Sequence, residues 1–92
     1  MSRENVNNTI DGYDVTALGD SYAYGTYMYK NSRIVRNQIK AINCRIYLHA
    51  SNPNDKQVIA NFKKLYEESK ELEKDVEALK EFEEAKIAYS KR

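Results

Sequence analysis

The stretch SNPND at residues 51–55, followed by KQVIANFKKLYEESKELEKDVEAL at 56–79, decides the fold. Val58, Phe62, Leu65, Ser69, Leu72, Val76 and Leu79 recur at alternating steps of four and three, which only a helix gathers on one face. Pro53 suits a first helical turn, Asn is a good N-cap, and Asp55 stands where the helix dipole favours a carboxylate. Lys91 and Arg92 suit the far end, so the spacing predicts one long amphipathic helix over about 55–91. Leu65, Leu72 and Leu79 fall one heptad apart, with Phe62, Ser69 and Val76 as alternating partners, a narrow coiled-coil-like stripe. Past Leu79 the phase slips to Phe82, Ala85 and Tyr89, which implies a change of packing partner. Such a helix would be about 55 Å long, more than a small globule covers. Phe62, Leu65, Leu72, Val76, Leu79 and Phe82 are therefore expected to carry self-association into a dimer or higher oligomer.

Upstream of the turn, Met28, Val35, Ile39, Ile42 and Ile46 repeat the helical spacing and predict another amphipathic helix over about 26–50. A short connection makes two such helices antiparallel neighbours. Folding about Asn52 sets Ile46 near Ile59, Ile42 near Phe62, Ile39 near Tyr66 and Val35 near Ser69, so that each stripe covers the other. The expected fold is all-α: a helical hairpin over residues 26–92 behind a Tyr-rich extension, 1–25. In that extension Tyr13, Val15 and Ala17 alternate, as do Tyr22 and Tyr24, with Gly19-Asp20 between them, the pattern of a short β-hairpin. A lone hairpin is marginal unless it packs on something; the tyrosines at 22, 24, 27 and 29 are placed to cover Leu79, Phe82 and Tyr89. Met1 to about Thr9 reads as a loose tail.

Charge is segregated. No acidic residue lies between Asp20 and Asp55, whereas Lys30, Arg33, Arg36, Lys40 and Arg45 do. The net charge of +1 over 92 residues conceals this cationic window. A chain this short makes one domain and buries a smaller share of its surface than a larger one. A third of the residues are charged, and the chain has only three Gly and one Pro, a composition that fits a folded, helix-rich protein. No window approaches the roughly 18 apolar residues of a membrane span and the first residues lack the apolar run of a signal peptide, so a cytoplasmic location without membrane association is expected. Cys44 is the only cysteine, which precludes an internal disulfide and fits a reducing compartment.

On a wheel for one continuous helix, Tyr29, Arg33, Arg36, Lys40 and Tyr47 fall within an arc of roughly 60°, about 130° from the apolar stripe. Arginine and tyrosine are enriched at interface hot spots. Three uses compete for the strip: pairing with the neighbouring acidic residues (Glu67, Glu68, Glu71, Glu73, Asp75, Glu77), binding an acidic protein partner, and binding nucleic acid. Nucleic acid ranks last, because five cations are few and the Glu-rich helix would repel a phosphate backbone. Catalysis and cofactors are not expected. Cys44 and His49, the only thiol and imidazole, point about 140° apart on a helix, and they cannot by themselves build a usual zinc site. Glu67/Glu71 and Glu73/Glu77, interspersed with Lys70, Lys74 and Lys80, read as a solvated face. The sequence thus points to a small non-enzymatic protein-binding module, an adaptor or inhibitor of a larger, acidic-surfaced protein. Its Trp-free, Asn/Lys/Tyr/Ile-rich composition suggests a bacterial or phage accessory protein. The alternative is a nucleic-acid-binding accessory protein that uses the same cationic face.

Overall fold

In the computed structural model, which describes residues 8–92, the chain is mostly helical with one small sheet. Strands β1 (Thr9–Ile10) and β2 (Tyr13–Asp14) pair antiparallel. Helices α1 (Tyr22–Asn31), α2 (Arg33–Ala50), α3 (Lys56–Glu73) and α4 (Val76–Ser90) follow. α2 is central: α3 packs against it, and it also touches α1, α4 and β2, while α1 and α4 form a second pair. No helix among the described residues is long and apolar enough to cross a membrane.

The sheet lies earlier than the tyrosine alternation suggests. Its two-residue loop is Asp11-Gly12, with φ of 56° and 85°, the mirror-image turn that suits the twist of paired strands and favours Asp-Gly. Asn43 of α2 then closes the sheet's open edge. Its side-chain oxygen accepts from the Asp14 N–H at 2.9 Å, and its amide donates to the Asp14 carbonyl at 3.1 Å, so a side chain stands in for a third strand. Tyr22 and Tyr24, expected in a strand, belong to α1. The expected tail falls outside the described residues, apart from Asn8 and Thr9.

Tyr, Thr and Gly are poor helix formers, so α1 owes its form to capping and packing. Ser21 accepts from the Tyr24 N–H at its start, while Met28 and Tyr29 enter the core. Gly25 lies so close to the segment leaving β2 that a Cβ there would overlap the Val15 carbonyl. Absence of a side chain at residue 25 is what lets α1 settle on Val15.

Both long helices expected from periodicity are broken. Ser32 interrupts the first: it is fully buried, its N–H caps α1 on the Met28 carbonyl, and its Oγ accepts from the Val35 N–H to begin α2. Lys74 and Asp75 interrupt the second, where the Asp75 carboxylate accepts from the Glu77 and Ala78 N–H groups and starts α4. Short polar side chains offer the backbone an alternative to the next helical bond. With the break, the length that argued for self-association is gone, because α4 folds against α1 and α2.

The core consists of Val15, Met28, Tyr29, Val35, Ile39 and Ala85, with Ile10, Tyr13, Tyr24, Tyr27 and Phe82 packed around it. Val35 and Ile39 thus join a core shared with Val15 of the amino-terminal segment. α3 takes a different face of α2, shown by Asn37 donating to Glu68 and Asn61 donating to the Cys44 sulfur, each at 3.5 Å. Ile34, Ala41 and Leu48 share that face by helical spacing. α2 therefore has two covered faces, and the Tyr-rich extension contributes Ile10, Tyr13, Val15 and Tyr24 to the core and its surround.

Gly25→Ala is expected to lower stability by about 1–3 kcal/mol, the range for overpacking, in urea unfolding followed by circular dichroism. An unchanged midpoint would show that α1 does not rest on Val15.

Candidate functional site

The five residues of the expected cationic strip do not share an open face. Ser32 breaks the helix that the wheel assumed continuous, and Tyr29 falls on α1, only 3% exposed. Its hydroxyl donates to Asp11 Oδ2 at 3.2 Å, which ties the hairpin turn to the core. Burial, with that bond to Asp11 second, pushes its pKa up to about 12. Arg36 reaches back across the elbow, its Nε donating to the Tyr29 carbonyl at 2.9 Å and its Nη2 to the Lys30 carbonyl at 3.2 Å. Those carbonyls end α1 without helical partners, and a guanidinium there also complements the helix dipole. Lys40 lies over the Tyr13 ring, 5.8 Å from its centroid. Tyr47 donates to Asp55 across the α2–α3 connection at 3.2 Å, which raises the pKa of its hydroxyl.

Arg33 completes the set. One carboxylate oxygen of Glu81, on α4, accepts from the Arg33 backbone N–H at 2.8 Å and from its Nε at 3.2 Å. An acidic group that accepts from the first turn of a helix is doubly favoured there, by the free N–H and by the dipole. The Glu81 pKa is accordingly held below its ordinary 4.5, chiefly by the backbone bond and further by the guanidinium, against an opposing effect of burial. The strip's cations were expected to meet acidic residues at 67–77; Arg33 instead meets Glu81, beyond the break at Asp75.

The residues expected to mediate self-association are dispersed. Leu65 is buried and Phe82 packs on the core. Phe62 stacks on Tyr66 with ring centroids 6.2 Å apart, and Leu72 is half-buried. Val76 and Leu79 are exposed, at 76% and 44%. Tyr24 and Tyr27 both pack on Tyr89, with centroids at 5.0 and 5.6 Å, and Arg92 closes over the Tyr27 and Tyr89 rings.

A different surface stays open. Ile42, Arg45, Ile46 and His49 follow one another at helical spacing on the arc of α2 left between its two covered faces. Leu18, from the loop after β2, together with Phe62 and Tyr66 of α3, extends that arc into a groove beside Arg45. Leu18, Ile46 and Tyr66 are exposed, and the Arg45 side chain has no hydrogen bond, ion pair or ring contact among the described residues. Ile42, Ile46 and Phe62 were legible in the sequence as stripe positions, but as parts of a covered seam, and Arg45 only as one cation of the acid-free window.

Little chemistry is available elsewhere. Cys44 is buried, and burial raises its thiol pKa despite the opposing bond from Asn61, which disfavours the reactive thiolate. Among the described residues no cluster of three or more His, Cys, Asp or Glu could hold a metal ion. Comparison of the chain with protein-family models, curated proteins and solved structures finds no match.

Glu81→Gln is expected to cost about 1 kcal/mol at pH 7, as for loss of a capping carboxylate. Because the folded pKa lies below the ordinary value of 4.5, the contribution is fully present above that value and disappears as pH falls through the folded pKa. Denaturation of both proteins between pH 7 and 3 should give curves that are offset at neutral pH and converge in acid. A constant gap would contradict the assignment.

Proposed function

We propose that the chain is a non-catalytic protein-binding module that adapts or inhibits a larger protein by covering part of its surface, and that the groove beside Arg45 is its recognition face. The observation that carries this reading is an unpaired guanidinium flanked by exposed Leu18, Ile46 and Tyr66. Arg and Tyr offer large contact area with a polar handle, and apolar groups beside an unpaired cation suit a partner segment that sets a carboxylate among apolar side chains. Self-association belongs to the same proposal, with pairing through α4, where Val76 and Leu79 remain exposed.

The inward use of Arg33 and Arg36 moves the acidic-partner reading from the strip to the groove. It also weakens the nucleic-acid reading, since the cations do not line one track for a phosphate backbone. A bacterial or phage setting, with a target in the cytoplasm, remains part of the proposal on composition alone.

The test uses the full chain and Arg45→Glu as paired baits in host lysate, with helicity checked by circular dichroism. Proteins held by the wild type and lost with Arg45→Glu at unchanged helicity are expected, and their purified contact segments should be acidic and apolar. Equal capture by both baits would remove the groove from the proposal. Tight oligonucleotide binding that falls steeply with salt would favour nucleic acid instead.

A further inference from the structure

α4 carries two stripes of the same period. Ala78, Phe82, Ala85 and Tyr89 recur at steps of four, three and four and turn toward the core, with Ala78 and Ala85 buried. Val76, Lys80, Glu83 and Ile87 recur at the same steps about half a turn round the helix, and all four are exposed, Val76 at 76% and Ile87 at 52%. Lys80 and Glu83 have no salt bridge among the described residues. A single exposed Val or Ile is ordinary. What is unusual is the order along the stripe, apolar, cationic, anionic, apolar, which is complementary to its own reverse.

We infer that α4 pairs antiparallel with α4 of a second copy of this chain, about a two-fold axis between Glu81 and Phe82. That register puts Val76 against Ile87 of the partner subunit at both ends of the seam. Between them Lys80 faces Glu83 of the partner subunit, and Glu83 faces Lys80 of the partner subunit. Isologous contacts need such self-complementarity, and a register shifted by three residues in either direction sets Glu83 against Glu83 or Lys80 against Lys80, a like-charge penalty. Leu79 flanks the seam and adds apolar area. One helix face of about four turns is at the small end of specific interfaces, so a dissociation constant on the order of 10–100 µM is expected. The inference rests on the self-association part of the proposal above; it specifies the surface, orientation and register, and is independent of the Arg45 groove.

The register is tested by charge reversal in the full chain, with sedimentation equilibrium from about 10 to 500 µM and circular dichroism to confirm folding. Lys80→Glu places two glutamates opposite each other, and Glu83→Lys two lysines, so each variant alone should dimerise about tenfold or more weakly than the wild type. Mixing the two should restore a dimer, because both charged pairs across that heterodimer are again Lys with Glu. Changes within one helix are the same before and after mixing, so recovery can arise only between chains. If the wild type dimerises and the single variants dimerise equally well, self-association uses another surface and the α4 inference falls alone. If the singles are monomeric but the mixture stays monomeric, the antiparallel register is wrong. A wild type that is monomeric throughout would remove both the inference and the self-association part of the proposal, and leave the Arg45 groove untouched.

Discussion

One buried residue, Ser32, sets the arrangement of the remainder. All its polar groups are satisfied while it is extended: the N–H donates to the Met28 carbonyl, the carbonyl accepts from the Arg36 N–H, and Oγ accepts from the Val35 N–H. With no exposed surface, it ends one helix and begins the next without an unpaired buried group. The chain therefore leaves the helical path at Ser32, and α1 packs on α4 as well as on α2. Two neighbouring side chains complete the elbow: Arg36 satisfies the closing carbonyls of α1, and Glu81 takes the opening amide of α2.

This elbow decides the fate of the acid-free window. A cation near an exposed helix middle is available to a partner, but one beside a helix end meets the unpaired groups of the backbone itself. Arg33 and Arg36 lie at such an end, and their geometry is that of capping and bridging. Arg45 is three turns farther on, where α2 has neither an end nor a neighbouring acid to engage it. Position relative to the helix termini, more than charge count, separates the structural cations from the available one.

The helical character and the turn at 51–55 were legible because strict periodicity and a Pro/Asn cluster are strong signals. The breaks at Ser32 and Asp75 were not, since Ser and Asp are good N-caps yet are also tolerated within helices, and the apolar pattern runs across both. Asp11-Gly12 bears the signal of a two-residue hairpin, but strands of two residues give no alternation to accompany it. The α3-facing side of α2 was hidden for another reason: between Ile34 and Leu48 it carries Asn37, Ala41 and Cys44, too small or polar to register as a stripe beside Val35, Ile39 and Ile42. Leu18 reaches the groove only through the tertiary course of its loop, for which no local pattern exists.

The most direct measurement of the elbow is native-state amide hydrogen exchange read by NMR at Arg33 and Val35 against Ile39 in the middle of α2. A buried, fully satisfied elbow predicts that all three amides exchange only through global unfolding, with the same free energy and the same dependence on denaturant. Rapid, denaturant-independent exchange at Arg33 and Val35 beside a protected Ile39 would show a frayed helix end, and would contradict the claim that this elbow holds the fold and its cations in place.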